Sequence, residues 1–349
     1  MTVVILHEEL PPGARADELD ALVQVREVEQ ALRRLGVPVA VQAIGLDLEA
    51  GLQGLRRHQP ACVFNLVESL GGRGELIGTV PKLLAHAGIP FTGSGGDALH
   101  LTSHKTAAKR QMAAYGIATA DWFTAGERPG DGHDRWIVKS LWEHASFGID
   151  DSSVVTGRAA ARETMAQRAR QLGGHWFAER YLEGRELNVS LLERNGRPEV
   201  LPLAEMTFVG YAKSKPRIVG YSAKWDASAA EYNATQRVYP RLAPGLEQAI
   251  RRAALDCWSL FGLRGYARVD IRLDEQERPV VLEVNANPCL SHDAGFAAAA
   301  AEAGLSHDHL IETILDAALP GSNRGFASQT PGSVPTTGST PVPPLKRAV

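Results

Sequence analysis

Alternation of apolar and polar positions predicts a β-hairpin within residues 268–285. The first strand alternates charged and apolar side chains in the order Arg268, Val269, Asp270, Ile271, Arg272, Leu273. A polar turn separates it from a second strand, 279–285, in which Val281, Glu283 and Asn285 share one face. Because strand side chains repeat every two residues, we expect Asp270 to lie near Glu283 and Asn285.

Two carboxylates and an amide oxygen on one sheet surface form an all-oxygen site, which suits Mg²⁺ completed by water and substrate phosphates. We therefore predict Asp270, Glu283 and Asn285 as metal ligands. Without a cation, two facing carboxylates would repel each other and shift their pKa values. The alternative is a solvated hairpin edge with scattered charges, but it does not explain why Glu283 and Asn285 lie in an otherwise apolar run.

The first 97 residues alternate predicted strands and helices. The strands are 3–6, 37–41 and 61–66, and the helices are 16–35 and 75–87. This order is typical of an α/β unit with a parallel sheet, which binds ligands at the carboxyl ends of its strands. The polar residues at those ends are candidate ligand groups or, alternatively, solvated residues of turns. They are His7, Glu8, Glu9, Glu68, Arg73 and Glu75.

The remaining chain mixes both element types. Predicted strands are 136–140, 176–182, 188–193 and 199–204, and predicted helices are 102–115, 158–172, 244–261 and 307–319. Lys139 ends a strand before a glycine-containing loop and is a candidate phosphate clamp, although most lysines are simply solvated. Residues 208–236 are polar and irregular, which indicates a functional or disordered loop. Its cations suit phosphates: Lys213, Lys215, Arg217, Lys224 and the adjoining Arg237.

Composition narrows the function classes. The chain has 349 residues, 44% of them hydrophobic and 22% charged, and a net charge of −3, which argues against nucleic acid or an anionic membrane as the main partner. Three separated cysteines, an amino terminus that starts as a strand rather than a signal peptide, and no apolar run of membrane-spanning length favour the cytoplasm. Residues 321–349 are rich in Gly, Ser, Thr and Pro, which predicts a disordered tail.

Taken in order, the motifs between Thr2 and Leu319 resemble the ATP-grasp superfamily, and within it the D-alanine–D-alanine ligase family. The sequence Ile89-Pro-Phe-Thr-Gly-Ser-Gly resembles the family's junction before the central domain. By this resemblance, ATP would be bound by Lys105, Lys139, Ser146, Glu179, Tyr181, Leu182, Glu186, Lys224 and Asn285. Asp270, Glu283 and Asn285 would hold two Mg²⁺ ions, for which Mn²⁺ can substitute, and the catalytic residues would be Arg268, Lys224 and Glu18.

The resemblance implies an α/β fold, α+β in its C-terminal half, with three domains. These would span residues 1–97, 98–178 and 179–320, followed by the tail. The implied reaction is ATP-dependent formation of an amide from a carboxylate and an amine through an acyl phosphate, with release of ADP and phosphate. The implied partners are small amino-acid or peptide substrates and a second copy in a homodimer, with no nucleic acid or membrane.

The amino-acid half of the predicted site departs from the family pattern. Ala145 and Trp225 stand where the family has a serine and a tyrosine that, with a glutamate matched here by Glu18, hold the first substrate's ammonium. Cys289 replaces a glycine, and Ala294 replaces the serine for the second substrate's carboxylate. We therefore expect substrates other than D-alanine. The alternatives are a glutamate-adding peptide ligase, a non-catalytic nucleotide-binding homologue and a D-alanine–D-alanine ligase itself.

Overall fold

The computed structural model describes residues 2–11, 13–127 and 134–319, so the predicted tail, 321–349, lies outside the described residues. The strands are β1 Thr2–Glu8, β2 Val39–Ile44, β3 Pro60–Asn65, β4 Trp122–Thr124, β5 Arg135–Ser140, β6 Val154–Thr156, β7 Trp176–Arg180, β8 Glu186–Arg194, β9 Arg197–Val200, β10 Ala204–Phe208, β11 Thr235–Val238, β12 Tyr266–Leu273 and β13 Pro279–Asn285. The helices are α1 Ala16–Arg34, α2 Leu48–His58, α3 Thr79–His86, α4 Gly96–Ser103, α5 Lys105–Ala114, α6 Arg158–Leu172, α7 Tyr221–Trp225, α8 Ala230–Ala234, α9 Pro244–Phe261, α10 Gly295–Glu302 and α11 His307–Ala318.

The N-terminal sheet is parallel, as predicted, with strand order β2-β1-β3. Side chains of β1 alternate between two cores because the sheet is covered on both faces. Val3 and Ile5 pack against apolar residues of α1, α10 and α11, while Val4 and Leu6 pack against α2 and α3. The carboxyl ends of β1 and β3 are thereby held at one edge of the sheet.

The central sheet has the order β4-β7-β5-β6, and every neighbouring pair is antiparallel. Helix α6 covers one face, where Ala161 and Met165 pack against Trp136 and Val138. Lys139 on β5 is opposite Phe177 on β7 and points away from that core. The free face of this sheet forms one wall of the cleft described below.

The C-terminal sheet is antiparallel, with the path β11-β10-β8-β12-β13 and with β9 paired to β8. Its apolar face packs against α4, α5 and α9, so α5 joins the central and C-terminal units. On β12, Val269 and Ile271 point into that core, and Arg268 and Asp270 point to the opposite face. The polar face is nevertheless buried, since Arg268 and Asp270 are only 8% and 7% exposed.

Several predicted elements are confirmed and others are corrected. Helices 158–172 and 244–261 and both strands of the hairpin form where predicted. The predicted helix 102–115 starts only at Lys105, because His104 caps it by accepting a hydrogen bond from the amide of Ala107. The predicted strand 199–204 is wrong: β9 ends at Val200 and β10 begins at Ala204, with Pro202, which lacks an N–H, between them.

Other differences concern limits of elements. The predicted helix 75–87 starts at Thr79, after a separate turn of 3₁₀ helix, and residues 208–236 contain α7, α8 and the start of β11. The boundary predicted between residues 178 and 179 falls inside β7, which belongs to the central sheet. The division into three domains stays a prediction. Every helix in the described part of the chain is too short or too polar to cross a lipid bilayer.

Candidate active site

A cleft of about 940 Å³, partly open to solvent, lies between the free face of the central sheet and the polar face of β8, β12 and β13. Most of the predicted site residues line it: Lys105, Lys139, Ser146, Glu179, Tyr181, Leu182, Glu186, Lys224, Arg268, Asp270 and Glu283. Asn285 and Glu18 do not belong to this lining. Side chains separated by more than 150 positions in the chain thus share one cavity.

The hairpin sets the centre of the cleft. In the register of β12 and β13, Asp270 is opposite Glu283 and Arg268 is opposite Asn285. Arg268 donates two hydrogen bonds to the Asp270 carboxylate, from Nε at 2.8 Å and from Nη2 at 2.9 Å. Asn188 on β8 donates a third from Nδ2 at 2.8 Å. The Asp270 carboxylate is therefore held rigidly on the floor of the cleft.

The two facing carboxylates have opposite pKa shifts. Burial raises the pKa of Asp270 above its ordinary value, although Arg268 acts against it. Burial also acts to raise the pKa of Glu283, but Lys105, His144 and Lys139 outweigh it and hold that pKa well below its usual range. Glu283 is thus anionic at neutral pH and lies 3.9 Å from the ammonium of Lys105. This donor set of carboxylate oxygens fits a divalent cation such as Mg²⁺.

Asn285 lies two register positions beyond Glu283, on the same face of β13. Its Oδ1 accepts a hydrogen bond of 2.9 Å from the backbone amide of Asn287. Asn287 in turn donates from Nδ2 to the carbonyl of Val67 at 3.2 Å and accepts from the hydroxyl of Tyr266 at 2.7 Å. The segment after β13 is consequently fixed against the N-terminal unit.

Three lysines, Lys105, Lys139 and Lys224, bring positive charge to the cleft. Lys105, the first residue of α5, donates from Nζ to the carbonyl of Glu143 at 2.7 Å. Burial lowers the pKa of Lys105 and of Lys224, and for Lys224 the nearby Arg268 lowers it further. Within the described residues, no carboxylate forms an ion pair with Lys224. Such partly compensated cations are suited to anionic oxygens of a nucleotide.

The side chain of Glu179, predicted to bind ATP, is instead enclosed by two lysines. Its carboxylate is 1% exposed and lies between Lys139, which donates to Oε1, and Lys109, whose Nζ is 2.7 Å from Oε2. The side chain is therefore a counter-ion for two lysines, while its backbone leads into residues 181–185. Lys109 was missed by sequence reasoning. It follows Lys105 by four residues, so helical spacing puts both on the same face of α5.

Arg272 is a second residue that sequence reasoning left without a role. It lies two positions after Asp270 on the same face of β12 and is 3% exposed. Its Nη2 donates to Glu186 at 2.6 Å, and the same guanidinium contacts the carbonyls of Leu182 and Arg217. The period of two that singled out Arg268 and Asp270 would also have found it. Arg272 ties together three segments at one end of the cleft.

Position 184, in the segment 181–185, leaves no room for a side chain beside β12. A Cβ added at Gly184 would lie 1.9 Å from the carbonyl oxygen of Leu273, far inside van der Waals contact. The backbone amide of Leu273 also donates a hydrogen bond to the carbonyl of Arg185, in this segment, at 3.0 Å. The glycine is thus required for a close backbone approach.

Residues 209–234, here called the lid, cover the cleft. The hydroxyl of Ser146 donates to Val219 in the lid at 2.7 Å, and Trp225 Nε1 donates to the carbonyl of Ala145 at 3.1 Å. At the other side, the hydroxyl of Tyr221 donates to Asp17 Oδ1 at 3.1 Å. The lid therefore closes onto both the loop 141–148 and the start of α1.

Not all predicted lid cations face the cleft. Lys224 lines it, but Lys215 pairs with Asp151 and with Glu231, the latter at 2.8 Å, on the outer side. Lys213 and Arg237 are absent from the lining of the cleft. The expectation that the whole set meets phosphates is therefore wrong for Lys215, because its charge is already neutralised by two carboxylates.

Glu18 lies outside the cleft lining, in the first turn of α1. Its Oε2 accepts a hydrogen bond from the amide of Arg15 at 2.7 Å, which caps the helix. The neighbouring Asp17 is the residue of this turn that contacts the lid. The catalytic role predicted for Glu18 stays a prediction.

A group of acids lies at the carboxyl ends of β1 and β3. Burial raises the pKa of Glu8 to about 7 and that of Glu68 to about 8. The carboxylate of Glu18 raises the pKa of Glu8 further, and those of Glu8 and Asp20 raise the pKa of Glu68 further. The amide of Glu68 donates to Glu8 Oε2 at 3.4 Å. By contrast, Arg73 and Glu75 pair with each other near the surface. Of the predicted loop residues, Glu68 is the one enclosed beside Glu8.

Cys289 lies in the same region as these acids. Its Sγ is 3.6 Å from Asp20 Oδ2 and 3.4 Å from Ser291 Oγ. Burial, followed by the carboxylates of Asp20 and Glu68, raises the pKa of the thiol well above its ordinary range. A protonated thiol is a poor nucleophile, which favours the interpretation of Cys289 as a packing residue.

Comparisons with known proteins agree with this architecture. A family model described as "D-ala D-ala ligase C-terminus" matches residues 136–316. A protein of Sinorhizobium fredii, y4sG, is 31% identical over 73% of this chain and 74% of its own length. A D-alanine–D-alanine ligase of Synechococcus sp. is 27% identical over 98% of this chain and 100% of its own.

A solved structure shares the fold. The D-alanine–D-alanine ligase of Bacillus anthracis, crystallised with ATP, aligns with a TM-score of 0.69 and 20% identity over 91% of this chain and 97% of that one. Its match supports the three-sheet arrangement described above. The matched family model and the relatives show the family, and the solved structure shows the same fold. The chain belongs to the D-alanine–D-alanine ligase family of ATP-grasp proteins, which are ADP-forming carbon–nitrogen ligases.

Proposed function

We propose that this ligase joins a carboxylate and an amine, at least one of them different from D-alanine, in the cleft between the central and C-terminal sheets. A carboxylate oxygen of the first substrate attacks the γ-phosphorus of ATP, the bond to the β,γ-bridging oxygen breaks, and an acyl phosphate and ADP form. The nitrogen of the uncharged amine then attacks the acyl carbon. The carbon–oxygen bond to phosphate breaks, and amide, phosphate and a proton are released.

The cations of the cleft support the first step. Phosphoryl transfer depends mainly on positioning and on neutralising charge on the phosphate oxygens. Lys105, Lys139 and Lys224 line the cavity and would bind those oxygens. Asp270, Glu283 and Asn285 would hold Mg²⁺, which when bound neutralises phosphate charge. We propose Mg²⁺ rather than a softer metal because the donors are all oxygens.

Arg268 would act in the second step. Its Nε and Nη2 are held by Asp270, which fixes the plane of the guanidinium. The remaining N–H groups can donate to the oxyanion of the tetrahedral intermediate, where charge develops. Acyl phosphates also react with water, so the contacts that close the lid over the cleft protect the intermediate.

The observation that carries the substrate proposal is the hydrogen bond from Trp225 to the carbonyl of Ala145. The family pattern has a tyrosine and a serine at these positions, and neither hydroxyl is present here. An ammonium group bound by those hydroxyls would be left with fewer acceptors, which disfavours D-alanine as first substrate. The acids Glu8, Glu68 and Asp20 offer other acceptors for an ammonium-bearing substrate.

Phosphate release from ATP and Mg²⁺, measured with paired L- and D-amino acids and dipeptides, tests the proposal. We expect release that requires two substrates, with a new amide detected by mass spectrometry and little product from D-alanine alone. The double variant Ala145→Ser with Trp225→Tyr should gain activity on D-alanine. Efficient formation of D-alanyl-D-alanine by the unchanged enzyme would overturn the substrate proposal while leaving the ligase chemistry intact.

A D-alanine–D-alanine ligase is the second candidate, favoured by the name of the Synechococcus relative. It predicts that D-alanine alone supports full turnover. Binding of ATP without any turnover would instead favour a non-catalytic homologue. A homodimer, which follows from the resemblance, and a cytoplasmic location, which the composition favours, also belong to the proposal.

A further inference from the structure

Two histidines and a glutamate meet outside the cleft, where α1, α11 and the segment after β13 come together. They are Glu27 on α1, His292 in the segment and His307, the first residue of α11. One candidate ligand atom of each residue lies within 4.8 Å of the others. We refer to these three residues as the rim site. Nothing in the ligase chemistry described above uses them.

His307 has the arrangement of a metal ligand. Its Nε2 is 2.8 Å from the carbonyl oxygen of Leu290. Because a carbonyl can only accept, Nε2 carries the proton of the neutral ring, and Nδ1 keeps its lone pair. That Nδ1 is buried and has no hydrogen-bond partner among the described residues. Metal-binding imidazoles commonly have their other nitrogen bound to a carbonyl in this way.

Glu27 and His292 lie beside the His307 ring. Glu27 Oε2 accepts from the backbone amide of His292 at 2.7 Å and is 3.0 Å from its Nδ1. The His292 ring stacks on the His307 ring, with centroids 3.8 Å apart and an interplanar angle of 22°. A shared ion requires the His292 ring to turn about its side-chain bonds. Its side chain is 51% exposed, so that rotation has room.

The backbone around the rim site is fixed before any ion binds. The amide of Leu290 donates to Gln24 on α1 at 2.6 Å, while its carbonyl is bound by His307 on α11. Arg34 on α1 pairs with Asp308 on α11 at 2.6 Å. The three candidate ligands thus come from two helices and a loop that are already tied together. Such preorganisation lowers the entropic cost of binding an ion.

We propose that Glu27, His292 and His307 bind one transition-metal ion of the zinc type, separate from the Mg²⁺ proposed for the cleft. Two imidazoles and one carboxylate suit Zn²⁺, with water as the fourth ligand, and do not suit Mg²⁺. The ion would join α1, α11 and the segment that also carries Cys289 beside the substrate region. Its role is to clamp that segment to the N-terminal unit.

Titration of the ATP-free, full-length protein with Zn²⁺ in excess Mg²⁺ tests the site, and Co²⁺ serves as an absorbing probe. We expect one equivalent to bind and the melting temperature to rise. Removing a residue that only orients a metal ligand weakens metal binding about 10–100-fold. Removing a ligand itself should cost no less, so we expect His307→Ala, His292→Ala and Glu27→Gln each to weaken zinc binding at least about tenfold. His309→Ala, on the exposed side of the same helix, is the matched control.

The outcomes separate this site from the cleft. Zinc binding that is lost in the rim variants but retained in His309→Ala and Asp270→Asn supports the proposal. Binding that survives in His292→Ala and His307→Ala, or that is lost only in Asp270→Asn, overturns it because the ion then lies elsewhere. Absence of binding by the unchanged protein also overturns it. No substrate or ATP is needed, so failure of the proposed ligase activity would be seen independently.

Discussion

Asp270 and Glu283 face each other at one register position of β12 and β13, yet only Asp270 is bound by an arginine. Glu283 faces Lys105 across the cleft. Burial raises the pKa of Asp270 despite its arginine, whereas Lys105, His144 and Lys139 outweigh burial at Glu283 and lower its pKa. This asymmetry leaves Glu283 charged and open toward the cavity, where a divalent cation and phosphate oxygens would meet it.

Loss of either carboxylate should abolish most activity. Metal ions contribute several kcal/mol to stabilising phosphoryl transfer, so Asp270→Asn and Glu283→Gln should each lower kcat by at least about 100-fold. Stabilisation of the protein by Mg-ATP in thermal melts should disappear in parallel. Asp274→Asn, in the exposed turn of the same hairpin, is the matched control and should behave normally. Normal turnover in both cleft variants would show that the metal assignment is wrong.

Lys109 should be needed for stability, even though it does not line the cleft. Breaking a buried ion pair by removing one partner costs about 3–5 kcal/mol, and the Lys109–Glu179 pair is 1% exposed on both sides. Lys109→Met should therefore lower the free energy of unfolding in urea by that order. Lys82→Met removes the exposed pair with Asp97 and should change the free energy of unfolding far less, because solvent screens that pair. Equal effects of the two substitutions would contradict this account.

Stability should depend on the protonation of Glu68. In the folded protein the pKa of the Glu68 carboxyl is raised from the ordinary value of 4.5 to about 8. Between those values the folded state binds more protons than the unfolded state, so this group's stabilising contribution is lost as pH rises through that window. Glu68→Gln should flatten the fall in melting temperature from about pH 5 to pH 8. An unchanged pH profile in that variant would be inconsistent with a protonated carboxyl at Glu68.

A glycine at position 184 should be required for tight ATP binding, because it lets the backbone of residues 181–185 lie against β12. Because an added Cβ would meet the carbonyl of Leu273, Gly184→Ala must displace residues 181–185 from β12. We expect KM for ATP to rise by about tenfold or more, since small displacements of positioning groups cost up to about 100-fold. Gly245→Ala, at the open start of α9, is the control and should leave KM unchanged. A normal KM in Gly184→Ala would mean that this segment does not contact the nucleotide.

Strand and helix periodicity predicted much of the site. The alternation of residues 268–273 predicted Asp270 near Glu283, because strand side chains repeat every two residues. Periodicity did not reveal that Glu179 is enclosed by Lys109 and Lys139, since that contact joins an α-helix to two strands far apart in the chain. The position of Trp225 depends on how the lid closes, which local patterns do not encode.

The central claim is that the carboxylate substrate is activated by phosphorylation. The most direct measurement uses that substrate labelled with oxygen-18 in its carboxylate, followed by mass spectrometry of the released phosphate. An acyl phosphate requires that one labelled oxygen leave with phosphate when the amine attacks. We predict one oxygen-18 atom in each phosphate formed, together with ADP. Phosphate without label, or label in a nucleotide product, would contradict the account.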